Sequence, residues 1–103
     1  MNEVNIKVQI HCLKPSWVDY EKNKYRIYIN DDMLTERSWI WSINTVIDED
    51  IWVSLAPNTV NLIRLESILD PVESIAKFSL MNLRVNNNPI IDYSEQLELS
   101  FKV

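Results

Sequence analysis

Apolar and polar residues alternate along much of this chain, which is the pattern of β-strands with one buried face. The apolar side of the stretch VNIKVQI consists of Val4, Ile6, Val8 and Ile10. The C-terminal stretch QLELSFKV repeats the same alternation. Between them lie six short runs rich in β-branched and aromatic residues, each bounded by Asn, Asp or Pro. These runs are KYRIYIN, MLTERSWIW, IWVSLA, VNLIRLES, AKFSLMNLRV and IIDY.

About eight short strands at this spacing are typical of sandwiches and barrels. We therefore predict one all-β domain over residues 1–103, an antiparallel β-sandwich of about eight strands with a jelly-roll-like layout. No segment has a convincing helical period, and at most one helical turn is expected, in DPVESIAKF. The predicted core consists of Val4, Ile6, Val8, Ile10, Ile27, Ile29, Val53, Leu55, Leu62, Phe78, Leu80, Leu97, Leu99 and Phe101.

The chain contains no glycine, although average usage would give about seven in this length. Turns that need positive backbone angles must therefore use Asn or Asp, which tolerate the left-handed region best after Gly. Such residues lie at 30–32, 57–59 and 86–89, where turns are expected. The absence of glycine also excludes the loops that cradle phosphates in P-loop and dinucleotide-binding proteins, and we expect no cofactor.

Charge narrows the classes of partner. Ten basic and fifteen acidic residues give a formal net charge of -5, and the basic residues are scattered singly along the chain. Binding to phosphate backbones needs clustered positive charge, so neither nucleic acid nor an anionic membrane surface is expected as a partner. No apolar run is long enough to span a bilayer, and the N-terminal MNEVNIKVQI lacks the parts of a signal peptide. A cytoplasmic protein is expected.

No set of residues indicates catalysis. Cys12 follows His11, the only histidine, but neighbours on a strand point to opposite faces and cannot meet at one site. A glycosidase-like carboxylate pair would have to come from Glu36 with Glu66 or Asp92. Strand carboxylates are usually solvated charges on the outer face, so we predict that the protein is not an enzyme.

Two acidic stretches, NDD at 30–32 and DED at 48–50, raise the question of metal binding. Neither shows the spaced pattern with a closing Glu that marks a dedicated calcium loop. No metal site is predicted, with a structural calcium between converging acidic loops as the alternative.

Aromatic residues carry the most functional information. If Asp31 and Asp32 form a two-residue turn, Ile29 pairs with Leu34. The inward positions of MLTERSWIW then include Glu36 and Ser38, which are poor core residues, so a bulge is predicted to shift the register of this strand. Trp39 and Trp41 at its end offer apolar bulk to both faces. These tryptophans, with Trp52 and Tyr28, are our candidate binding or interface residues. Core packing, a subunit interface and a sugar-stacking platform remain three alternatives for them.

The succession of YRIYINDDMLTERSWIW, EDIWVSLAPNTVNLIRLES and AKFSLMNLRVNNNPI resembles small uncharacterised proteins of tailed phages of marine cyanobacteria. The resemblance covers roughly residues 25–90 and rests mainly on Met33–Arg37 and on LAPNTVNLIRLE. It implies a viral origin and no particular activity.

The layout also resembles jelly-roll domains of the calcium-dependent xylan-binding kind. Pro57-Asn58 and Val85-Asn86-Asn87 stand where that family has Pro-Gly and Val-Asn-Gly turns. The calcium ligands of the family match no positions here.

Together these observations favour a non-enzymatic phage structural or accessory protein in the host cytoplasm, which could also be incorporated in the virion. We expect it to form a homo-oligomer with Trp39 and Trp41 at or beside the contact, and to bind other virion or host proteins. The alternative is a carbohydrate-binding module that recognises a polysaccharide through exposed aromatic residues.

Overall fold

The computed structural model describes residues 2–12, 24–38, 46–68 and 78–103, and these form eight β-strands and no helix. The strands are β1 (Asn2–Cys12), β2 (Lys24–Ile29), β3 (Asp32–Ser38), β4 (Val46–Leu55), β5 (Val60–Ile68), β6 (Phe78–Val85), β7 (Asn88–Ser94) and β8 (Glu98–Lys102). The all-β prediction and the number of strands are confirmed. The helical turn expected in DPVESIAKF falls almost entirely outside the described residues.

The strands form two four-stranded sheets, and every pairing is antiparallel. The order in the first, called sheet A, is β4-β1-β6-β7, and the order in the second, called sheet B, is β3-β2-β5-β8. The sheets pack face to face as a β-sandwich around one hydrophobic core. The predicted β-sandwich is confirmed. The hydrophobic pattern did not specify the order of the strands within each sheet.

The core follows the alternation of the strands, and most of its predicted residues are buried or packed against it. Leu62 is the exception: it is only partly buried, and its neighbour Ile63 is buried opposite Ile29 instead. The run VNLIRLES has apolar residues at both parities, so the pattern did not determine which face is inward. The buried hydrophobic residues missing from the prediction are Tyr25, Ile51, Ile63, Leu65, Leu83 and Val85.

Asparagine takes the backbone conformations that glycine would normally supply. The non-glycine residues with positive φ are Asn30 (56°), Asn58 (58°), Asn82 (50°), Asn86 (50°) and Asn87 (66°). All but Asn82 lie in the predicted turns. In the β2–β3 turn, however, Ile29 pairs with Asp32 and the turn residues are 30 and 31. The expected pairing of Ile29 with Leu34 is therefore wrong.

The predicted bulge in β3 is confirmed. Tyr28 pairs with Met33 and Ile27 pairs with Thr35, so Leu34 is the extra residue. Beyond this bulge the inward positions become Thr35 and Arg37, which removes Glu36 from the core face. A second bulge, which was not predicted, includes Asn82 on β6.

Candidate functional site

The two candidate aromatic residues that the structure describes, Trp52 and Tyr28, lie on different sheets. Trp52 projects from the outer face of sheet A, opposite Asn5, and its side chain is 65% exposed. Tyr28 lies on the outer face of sheet B, where the guanidinium of Arg64 stands 4.2 Å from the ring centroid. Trp39 and Trp41 fall outside the described residues, so their predicted role at an interface stays a prediction. Of the two described candidates, Trp52 is the exposed one.

Trp52 belongs to β4, an edge strand of sheet A whose far side pairs with no described strand. Proteins usually protect sheet edges with short strands, prolines, bulges or charges. Among the other edges, β7 has Pro89 and a register shift, β3 has its bulge, and β8 has only five residues. By contrast, β4 has ten residues and pairs with β1 without interruption. Its half Ile51–Leu55, here called the β4 edge, contains neither proline nor charge.

Exposed apolar side chains also occur on the corresponding edge strand of the other sheet. Met33 and Leu34 are exposed on β3, the corresponding edge strand of sheet B. An open cleft of about 310 Å³ lies at the end of these strands and is lined in part by Ile29, Val53 and Leu55. The β4 edge, which pairs with no further described strand, therefore adjoins a partly apolar cleft.

A buried cluster of polar side chains joins the two sheets next to this edge. Glu49 of β4 points inward and is only 4% exposed. It accepts a hydrogen bond of 2.8 Å from the hydroxyl of Tyr25 on β2, and Arg37 on β3 forms an ion pair with the same carboxylate. The ring of Tyr25 also packs edge-on against Phe78, with 5.6 Å between centroids. Through these contacts β4 lies over β2 and β3.

The electrostatics of this cluster are those of a structural contact. Burial raises the pKa of Tyr25 above its usual range, and the hydrogen bond to the Glu49 carboxylate raises it further. The hydrogen bond to Glu49 also raises the pKa of Arg37. Around neutral pH, Tyr25 therefore stays a neutral phenol that donates its hydrogen bond to Glu49, and Arg37 stays a charged guanidinium.

The outer face of sheet A also carries a polar groove of about 400 Å³, with Lys7, Gln9, Asp48, Asp50, Asn82 and Arg84 among its lining residues. Sequence reasoning missed this groove. Its residues come from three strands, and their separation along the chain left no local motif.

Other candidate residues are dispersed. Glu36 and Glu66 lie on the outer face of sheet B, where Arg26 contacts both carboxylates at 2.9 and 3.7 Å. Asp92 lies on β7 in the other sheet. The stretch at 48–50 is part of β4, so the second acidic loop that was considered for calcium is a strand. In the described ranges no three His, Cys, Asp or Glu side chains come together as a metal site.

The comparisons add no relative: no family model, curated protein or solved structure matches the chain. The resemblances to cyanophage proteins and to xylan-binding domains thus stay predictions. The described part of the chain contains no helix long and apolar enough to cross a membrane.

Proposed function

We propose that this protein acts without catalysis, as a structural or accessory module that associates with a second copy of itself through the β4 edge. The observation that carries the proposal is the contrast between β4 and the other edge strands: its C-terminal half lacks the short length, bulge, proline or charge that protects the others. Two copies of the edge can pair as antiparallel strands and join two A sheets into one.

A two-fold axis at Trp52 gives the most favourable pairing of two β4 strands. In that register Trp52 lies opposite its own copy, and aromatic pairs across strands are stabilising. Asp50 lies opposite Ser54 of the second copy. An axis at Asp50 would instead place the two Asp50 carboxylates opposite each other, which is destabilising. The axis at Trp52 therefore pairs the aromatic residues and separates these acids.

Substitution of Trp52 tests the proposal with little risk to the fold, because most of this side chain is exposed. We expect the unaltered protein to be a dimer at tens of micromolar, and Trp52→Lys to weaken association at least tenfold, as loss of a central aromatic residue does at other interfaces. Sedimentation equilibrium or light scattering measures both.

The matched control is Tyr93→Lys, an exposed aromatic residue on β7, the opposite edge of sheet A. Because Pro89 and a register shift already protect β7, this variant should dimerise like the unaltered protein. A monomeric unaltered protein, or equal effects of the two lysine variants, would contradict association through the β4 edge.

The phage setting is supported by sequence resemblance alone. On that basis we place the dimer in an infected host cell or in the virion, with other virion or host proteins as further partners. The separate contribution of Trp39 and Trp41 is tested by replacing both with Ser and measuring the dimer in the same way.

A further inference from the structure

Two neighbouring basic side chains on the outer face of sheet A form no ion pair with any described acidic residue. Lys7 on β1 lies directly opposite Arg84 on β6. Neither forms an ion pair with any residue in the described part of the chain. Asp50 lies on the other side of Lys7 and accepts a hydrogen bond from the amide of Asn5; its carboxylate keeps its charge but forms no ion pair with Lys7. Like charges in directly opposed positions of a sheet are destabilising, and this arrangement is the first indication of an anionic ligand.

Polar side chains continue from these cations into a hydrogen-bonded row across three strands. The amide of Asn82 donates to Gln9 Oε1 at 2.6 Å, and the amide of Gln9 donates to Asp48 Oδ1 at 2.9 Å. These mutual contacts hold the side chains in place. The carboxylate of Asp48 accepts hydrogen bonds, and the amides of Gln9 and Asn82 both accept and donate them, so the row offers the partners that neighbouring hydroxyl groups require.

Both features line the groove of about 400 Å³, a volume within the range of small-molecule sites. Trp52 lies next to it on the same face, two residues along β4 from Asp50. An exposed indole offers a flat apolar surface on which the C–H face of a sugar ring can stack. The groove itself is lined mainly by polar residues, which disfavours lipids and apolar peptide side chains.

We propose that this groove binds a saccharide that carries a carboxylate, of the hexuronate class. Lys7 and Arg84 bind the carboxylate, the row of Asp48, Gln9 and Asn82 binds hydroxyl groups, and a neighbouring ring stacks on Trp52. The basic pair offsets the net negative charge of the protein only locally, so the affinity should be modest, with Kd on the order of 1 mM. The site does not require association through the β4 edge, but it shares Trp52 with that contact, so saccharide binding and self-association would compete for this indole.

NMR titration of the ¹⁵N-labelled protein tests the proposal. A hexuronate disaccharide should shift amide signals in residues 7–9, 48–52 and 82–84, whereas the neutral hexose disaccharide and inorganic phosphate should each bind at least tenfold more weakly. Lys7→Gln/Arg84→Gln should reduce hexuronate binding at least tenfold. The matched control Lys24→Gln/Lys102→Gln removes two charges from sheet B and should leave binding unchanged.

Each alternative outcome overturns a defined part of the proposal. Absence of shifts at 10 mM hexuronate would exclude the site. Equal binding of phosphate would identify a simple anion site and contradict saccharide recognition, and equal binding of the neutral disaccharide would contradict the role of Lys7 and Arg84. Dispersed spectra of both double variants confirm that they are folded.

Discussion

In this protein, asparagine adopts the positive-φ backbone conformations that glycine usually adopts. The turn between β6 and β7 shows this most clearly, because its two central residues, Asn86 and Asn87, both have positive φ. Positive φ at both positions is the requirement of a type I′ turn, whose twist matches that of the flanking strands. The side chain of Asn86 also accepts a hydrogen bond from the backbone N–H of Asn5, whereas no described side-chain hydrogen bond involves Asn87.

We predict that Asn87→Ala lowers the free energy of unfolding by about 1 kcal/mol, because a β-carbon without a compensating polar group disfavours the left-handed conformation. Asn87→Gly should be neutral or stabilising, since glycine adopts this conformation freely. Urea unfolding measures both. Asn88→Ala, one residue further on and without positive φ, is the control and should change stability by less than about 0.5 kcal/mol. Equal stability of the Asn87→Ala and Asn87→Gly variants would contradict the argument.

Tyr25 is the residue whose ionisation should be visible in the stability of the fold. Its pKa is raised in the folded state by burial and by Glu49, whereas in the unfolded chain it titrates near 10. A group with a raised folded pKa contributes stability that is fully present below the unfolded pKa and declines as the pH rises above it. The decline should therefore begin near pH 10.

We predict that the unaltered protein loses about 1.4 kcal/mol more stability than Tyr25→Phe between pH 8 and pH 11, since phenylalanine has no proton to release. At pH 7 the substitution should cost about 1 kcal/mol, for the lost hydrogen bond to Glu49. Guanidinium unfolding of both proteins at several pH values measures the difference. Parallel stability curves above pH 10 would show that Tyr25 does not control this loss.

At the scale of strands, the sequence predicted which segments form strands better than it predicted which face of each strand is buried. In β1 the inward positions are uniformly apolar, so alternation alone identified them correctly. In β5, Leu62 and Ile63 are both apolar, and pairing with β2 rather than local pattern determined that Ile63 is inward. In β3 the bulge could be predicted, because Glu36 would otherwise face the core. The position of the turn could not, because it depended on Asn30, which was one of several residues able to form a turn there.

For the β4 edge, the proposed register predicts which residue can be cross-linked to its copy. Directly opposed residues on antiparallel strands are close enough for a disulfide. We predict that Trp52→Cys, in a chain whose own Cys12 is replaced by Ser, is trapped as a covalent dimer on oxidation, at a protein concentration raised to offset the weaker association expected without the indole. Ser54→Cys is the control, because in this register the two copies of residue 54 are about 13 Å apart. Non-reducing electrophoresis distinguishes them, and efficient cross-linking through residue 54 would contradict an axis at Trp52.

At the scale of the whole molecule, both candidate sites depend on how the sheets are assembled. The sequence alone identified the exposed Trp52 as a candidate binding residue, because it is an aromatic residue in an apolar run. The groove could not, because Lys7 and Arg84 become neighbours only through the pairing of β1 with β6. The contact of Glu49 with Arg37 was likewise hidden, since it requires β4 to lie over β3 and the bulge in β3 to turn Arg37 inward.

This contact between the sheets should be worth far more than the exposed ion pair on the same hairpin. The side chain of Arg37 is 45% exposed, whereas the side chain of its partner Glu49 is only 3% exposed. Arg37→Met would leave a buried carboxylate with less compensation, at a cost of about 2 kcal/mol after allowance for solvent access to Arg37. The control is Arg26→Met, which removes the exposed ion pairs with Glu36 and Glu66 on the outer face of sheet B. That loss should be much smaller, because the separated charges remain in contact with solvent.

A second substitution separates charge from packing in this prediction. If the cost of Arg37→Met comes from the uncompensated carboxylate, adding Glu49→Gln should restore most of the lost stability, because the neutral amide can still accept the hydrogen bond from Tyr25. Urea unfolding of the single and double variants at pH 7 gives the coupling energy. Equal losses for Arg37→Met and Arg26→Met, with no recovery in the double variant, would mean that the two sheets are held together by the apolar core without help from this ion pair.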